Sequence, residues 1–162
     1  FDLNGTCGVF GNPFHKCGKG HKGNNGFLGG ILSKTANAVA VTVRATVNLP
    51  LTVPAAGWSI LNGGSCRVRS GLMVACTGTN AWANGPFAPH VTIGNTIISD
   101  RSVISARELS HEQAHATQWA QGGVGFGGSY IASEFVSQVL GKGSCWNIFE
   151  RTAPPNSRYD DC

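Results

Sequence analysis

The stretch Ser105–His115, SARELSHEQAH, marks where the second half of the chain turns helical. Ser105 and Glu108 have the spacing of a capping box, in which each side chain takes up a backbone amide that the first helical turn leaves free. Ile104 and Leu109 stand where a hydrophobic staple would place them. These signals predict a helix over about Ala106–Gln121, ended by Gly122-Gly123. His111 and His115 lie four residues apart inside it, so both imidazoles share one face, a turn apart.

Downstream, the glycine-rich GGVGFGGS at 122–129 reads as a loop. A second helix is predicted over about Tyr130–Leu140, with Ile131, Phe135, Val136, Val139 and Leu140 toward the core. A short helix is expected around Trp146–Thr152, cut by Pro154-Pro155. Upstream, AVAVTVRATVNL at 38–49 alternates and is β-branched, which predicts a strand closed by Pro50 and Pro54. CRVRSGLMVACT, 66–77, reads as two short strands about a Ser-Gly turn. HVTIGNTIISD, 90–100, reads as a third strand region broken or bulged at Gly94-Asn95. NAWANGPFAPH between them reads as a loop.

The expected fold is therefore α+β: a small twisted sheet, the helix with His111 and His115 packed on it, and further helices behind, stapled by disulfides. Residues 1–162 are taken as one domain, with a Gly-rich arm over 1–30, mainly β structure over 38–98 and mainly helix over 102–153.

Composition narrows the function classes. Apolar residues make up 41% of the chain, enough for a packed interior. Charged residues are only 12%, about half of the usual share of roughly 25%. The net charge is +4, but Lys and Arg are scattered and never run four together, so no nucleic-acid partner is expected. No apolar run approaches a membrane span. The chain starts at Phe1, which is read as a removed leader or a trimmed terminus. Six widely spaced cysteines fit three disulfides in an oxidising compartment, with sequence-local pairs Cys7–Cys17, Cys66–Cys76 and Cys145–Cys162 expected. A soluble, exported, monomeric protein follows as the expectation.

The two histidines frame Glu112 in the pattern His-Glu-x-x-His. On a helix, this pattern lets two imidazoles hold one metal ion while the glutamate takes a proton from a bound water. Zn²⁺ suits imidazole and carboxylate ligands and brings its bound water to a pKa near 7. A third protein ligand is needed, and Glu134, Glu150, His90 and Asp100 are the candidates. Glu134 shares a polar helix face with Tyr130 and Gln138. Glu150 lies among Trp146, Ile148 and Phe149, where a carboxylate needs a metal or an ion-pair partner such as Arg151 or Arg158. His15, Cys17 and His21 sit on the Gly-rich arm and are read as a solvated loop with an oxidised cysteine. Gln118, seven residues after His111, shares the ligand face and suits a hydrogen bond to a ligand. Trp119 is read as core packing. Tyr130 is a candidate oxyanion donor, and His90 a weaker one.

HEQAHATQWAQGG followed by aromatic residues and then NIFERTA resembles bacterial zincin-like metallopeptidase domains with the pattern HExxHxxQW and a later Asn-x-Phe-Glu-x-x-Ala element. Such domains occur in secreted proteins and as toxin modules of larger polymorphic proteins. The resemblance covers about Val91–Ala153 and includes the strand before the helix, which in zincins pairs with extended substrate. It implies a gluzincin-type centre with His111, His115 and Glu150 as zinc ligands and Glu112 as general base, acting on a protein or peptide. Two alternatives stand beside it: a zinc amidase acting on cell-wall peptide, and a zincin-like domain that binds a partner without catalysis.

Overall fold

A computed structural model of the chain describes residues 27–80 and 90–153. The elements run α1 (Phe27–Leu61), β1 (Ser65–Arg69), β2 (Met73–Thr77), β3 (His90–Ile93), β4 (Thr96–Ser99), α2 (Ala106–Val139) and α3 (Ile148–Arg151). Single 3₁₀ turns lie at Ser70–Leu72 and Gly143–Trp146. The architecture is α+β with a mixed four-stranded sheet in the order β1-β2-β4-β3.

Where the sequence reading takes one domain, the chain divides into two compact units, Phe1–Val43 and Arg44–Cys162. Of the first, the described part is the N-terminal portion of α1, where the Thr42 hydroxyl bonds back to the Ala38 carbonyl at 2.9 Å. Of the Gly-rich arm expected over 1–30, residues 27–30 are helical; residues 1–26 with their histidines, the Cys7–Cys17 and Cys145–Cys162 pairings and most of the 80–90 loop lie outside the described residues.

The strand expected over 38–49 is helix. Its valines alternate, but Asn48, Thr52, Ala55 and Ser59 recur at helical spacing and are the buried face. That face is mostly polar, so the usual apolar signal points the wrong way. Asn48 Nδ2 donates to Asn95 Oδ1 and to the Ala116 carbonyl, both at 2.7 Å. The Thr52 hydroxyl receives the Asn95 amide at 2.9 Å. Arg44 adds guanidinium hydrogen bonds to the carbonyls of Gly71 and Gln113. Pro50 and Pro54 lie within the helix rather than ending it. The expectation of no membrane span also changes. Lys34–Leu61 is long and apolar enough to cross a bilayer by length and composition, a test that a core helix or a signal sequence also passes. Arg44 and the two prolines interrupt the apolar run and conceal this in the sequence.

The hairpin read in CRVRSGLMVACT forms β1 and β2, with Cys66 opposite Cys76 and joined to it by a disulfide. The turn carries two left-handed residues, Gly71 and Leu72. HVTIGNTIISD makes a second hairpin: the break at Gly94-Asn95 reverses the chain completely, and β3 pairs antiparallel with β4. Gly94 has φ +60°, and a Cβ there would come within 3.0 Å of Asn48 O and 2.9 Å of the Thr52 hydroxyl, so this turn can seat on α1 only as glycine. β2 runs parallel to β4, which leaves β3 at the sheet edge.

Met73, Ala75 and Ile97 from the strands meet Ile104, Leu109 and Ala116 in one buried cluster. Ser105 and Glu108 form the capping box in full. The break at Gly122-Gly123 appears as one non-helical residue, Gly123, with φ +53° and ψ −142°. Helix resumes at once, so the expected glycine loop is helical. The second part of α2 does not bury its apolar side as expected: Ile131, Phe135, Val136, Val139 and Leu140 are each more than half exposed.

Candidate metal centre

The first part of α2 turns Glu112, His115, Ala116 and Gln118 inward. Beyond the Gly123 break, Tyr130 comes alongside the same face, and α3 supplies Glu150. His111 Nε2 lies 3.1 Å from Glu150 Oε2, and His115 Nε2 lies 3.3 Å from Glu150 Oε1. The two imidazole Nε2 atoms are 3.0 Å apart. These three residues can hold a metal ion. Their separations approach the edge of a tetrahedron with ligand bonds of about 2.0–2.1 Å, which is about 3.3 Å.

The outer nitrogen of each ring fixes its tautomer. His111 Nδ1 lies 2.9 Å from the Ala153 carbonyl oxygen, which can only accept. His115 Nδ1 lies 2.9 Å from Gln118 Oε1, and the Gln118 amide donates to the Phe149 carbonyl at 3.0 Å and to the Thr152 hydroxyl at 3.1 Å. Each Nδ1 therefore carries hydrogen, and each Nε2 lone pair points toward a carboxylate. Two lone pairs facing an anion repel unless a positive charge stands between them. In the metal-free protein a proton can fill that role. Burial works to lower the His115 pKa, but the hydrogen bond and charge of Glu150 outweigh it and raise it above the ordinary value. Burial likewise works to raise the Glu150 pKa, while bonds from His111, His115 and Tyr130 hold it well below the carboxylate range. A divalent cation would satisfy the same three acceptors without a proton.

Glu112 is buried but stands outside the triad; its Oε2 accepts the Thr92 hydroxyl at 2.6 Å. The Tyr130 hydroxyl donates to Glu150 Oε1, so its proton is directed at a ligand carboxylate rather than into open space. Tyr130 also packs edge-on to His115, with ring centroids 5.8 Å apart. Trp119 packs on Phe126 and donates its indole N–H to the Thr92 carbonyl at 2.7 Å, which adds a tie to the core packing expected of it. Gly127 is required here, since a Cβ would sit 2.6 Å from the Trp119 ring.

The other ligand candidates are engaged elsewhere. Glu134 bonds Gln138 and Asn147. His90 bridges Ser99 and Glu108, at 2.9 and 3.1 Å. Asp100 is exposed and belongs to no cluster of metal-ligand type among the described residues.

Thr92 and Phe126 have no role in the sequence reading, and Asn147, Phe149 and Ala153 enter it only as letters of NIFERTA, without the contacts that now explain them. Asn147 Oδ1 caps α3, Phe149 packs on Phe126 at 5.1 Å between centroids, and Ala153 is fully buried with its carbonyl on His111. No protein-family model, curated protein or solved structure matches the chain.

Proposed function

We propose that the chain is a zinc metallopeptidase, exported from the cell, that hydrolyses protein or peptide substrates. The observation that carries this reading is the convergence of His111 Nε2, His115 Nε2 and the Glu150 carboxylate, with a second carboxylate, Glu112, held apart from them. A His₂-carboxylate set is a zinc donor set with room for a water. Bound zinc would supply an acidified water and a Lewis acid for the substrate carbonyl. Glu112 accepts a proton from the water and delivers it to the leaving amine. Gln118 and the Ala153 carbonyl hold the two imidazoles in the tautomer that presents Nε2. Tyr130 orients Glu150 through its hydroxyl, and in the proposed reaction that hydroxyl turns from the carboxylate to the oxygen gaining negative charge. The Cys66–Cys76 disulfide favours an oxidising compartment.

The test is metal content of protein purified without added metal, beside Glu112→Gln, His115→Ala and Glu150→Ala, followed by casein hydrolysis with and without a chelator. The expected result is one zinc per chain in wild type and Glu112→Gln, little in the other two, and hydrolysis in wild type alone. A wild type that takes up no metal even when zinc is offered would overturn the reading.

A further inference from the structure

We infer that Thr92 is the positioning residue for Glu112: its hydroxyl fixes the orientation in which the carboxylate meets the nucleophilic water. The inference rests on the metallopeptidase reading and adds to it a residue on a strand, outside the helical motif.

The geometry makes Thr92 a two-point clamp. Its hydroxyl donates to Glu112 Oε2 at 2.6 Å, and both side chains are buried. A hydroxyl has one hydrogen to give, and this one is given to a single carboxylate oxygen. The backbone carbonyl of the same residue accepts the Trp119 indole N–H at 2.7 Å. Trp119 is one turn beyond His115 on α2, and Glu112 is one turn before it. One strand residue therefore grips the metal helix on both sides of a ligand. β3 is held in turn by β4, with Thr92 opposite Ile97 in the register.

The consequence concerns the direction of a carboxylate. An unanchored glutamate turns about three side-chain bonds and spends little time with a given oxygen toward the metal. With Oε2 held by Thr92, the Oε1 lone pairs have a fixed direction from which to receive a proton. Removing the hydroxyl leaves the ligands untouched, because neither His111, His115 nor Glu150 bonds Thr92 among the described residues. The effect should thus fall on what Glu112 does and not on metal content.

The experiment compares zinc-loaded wild type, Thr92→Val, Thr92→Ser and Glu112→Gln in three readouts: zinc per chain, acetohydroxamate affinity by calorimetry, and casein hydrolysis. Acetohydroxamate chelates zinc and shares a proton with the neighbouring carboxylate, so it reports Glu112 without needing the natural substrate. Thr92→Val should keep one zinc, lose about 10- to 100-fold in acetohydroxamate affinity and lower kcat by a similar factor, as expected for one hydrogen bond to a charged group. KM should change little, and Thr92→Ser should restore both losses. Val at wild-type affinity and rate, or Ser as poor as Val, overturns the inference. Loss of zinc in Thr92→Val also overturns it, since the role would then be structural. Failure of the metallopeptidase reading is seen separately: wild type holds no zinc, or Glu112→Gln binds acetohydroxamate as wild type does.

Discussion

The Asn147 side-chain amide donates to Glu134 at 2.9 Å, and the carbonyl oxygen of the same amide accepts the Phe149 N–H at 3.1 Å. Glu134 therefore holds the cap of the short helix that carries Glu150, without being a ligand itself. Asn147 is fully buried, so losing its partner leaves an amide donor unsatisfied, at a cost of about 1–3 kcal/mol. Glu134→Ala should lower stability by that amount and still bind one metal ion per chain. Glu150→Ala should lose the metal. Denaturant titration with metal analysis on both variants separates the two carboxylates, and a Glu134→Ala protein without metal would reverse their roles.

Metal-free and metal-loaded protein should respond oppositely to pH. In the metal-free protein, burial opposes and Glu150 favours the charged His115, and the net result is a pKa above the usual 6.5. A pKa raised by folding contributes stability that is fully present below the unfolded value and is lost as pH rises through the folded one. The melting temperature of metal-free protein should therefore fall as pH rises from about 6 to about 8. Metal binding requires the neutral imidazole and displaces that proton, so the loaded protein should hold or gain stability over the same range. Glu150→Gln should flatten the metal-free slope. Parallel slopes with and without metal would contradict the arrangement.

The parts legible in the sequence are those whose cause is local. Ser105, Glu108, Ile104 and Leu109 specify the start of α2 within six residues, and the four-residue spacing puts His111 beside His115 whatever else the chain does. Cys66 and Cys76 face each other because the intervening turn is short. What stayed hidden depends on distant partners. Alternating valines over 39–47 favour a strand by propensity, and the helix wins because Asn48 and Thr52 find the Gly94-Asn95 turn and Ala116. Thr92 looks like any β-branched strand residue until Glu112 arrives from twenty positions away. Ala153 acts through its carbonyl, which side-chain identity does not reveal.

Asn48 tests that account of α1. Its amide makes two buried hydrogen bonds at 2.7 Å, to Asn95 and to the Ala116 carbonyl on α2. Asn48→Ala should cost about 1–3 kcal/mol for each acceptor left unsatisfied. Asn48→Leu adds bulk beside the tight Gly94 turn and should cost at least as much. Thermal unfolding of the two variants checks this; an unchanged melting temperature would mean that α1 does not rest on this contact in solution.

The disulfide should matter to stability and not to metal binding. Cys66 and Cys76 close a loop of ten residues at the sheet edge opposite β3. Chain-entropy reasoning assigns such a loop about 3 kcal/mol. Replacing both cysteines with alanine should lower stability by about that much, since β1 then leaves the sheet more readily, while metal binding should be as in the disulfide-bonded protein. Loss of metal in this variant would mean that the hairpin supports the site more directly than its place in the sheet suggests.

Gln118 links the two halves of the centre through one amide. Its oxygen accepts the His115 Nδ1–H, and its nitrogen reaches the Phe149 carbonyl beside Glu150 and the Thr152 hydroxyl. Removing a partner behind a metal ligand typically costs about 10- to 100-fold in affinity. Gln118→Leu keeps the bulk and loses both functions, so it should weaken metal binding by at least that range. Gln118→Glu keeps an acceptor for His115 and loses the donor to Phe149, so it should fall between wild type and Leu. Competition against a chromophoric chelator gives the affinities. If Glu and Leu are equally impaired, the tie to α3 sets the affinity; if Glu matches wild type, the orientation of His115 does.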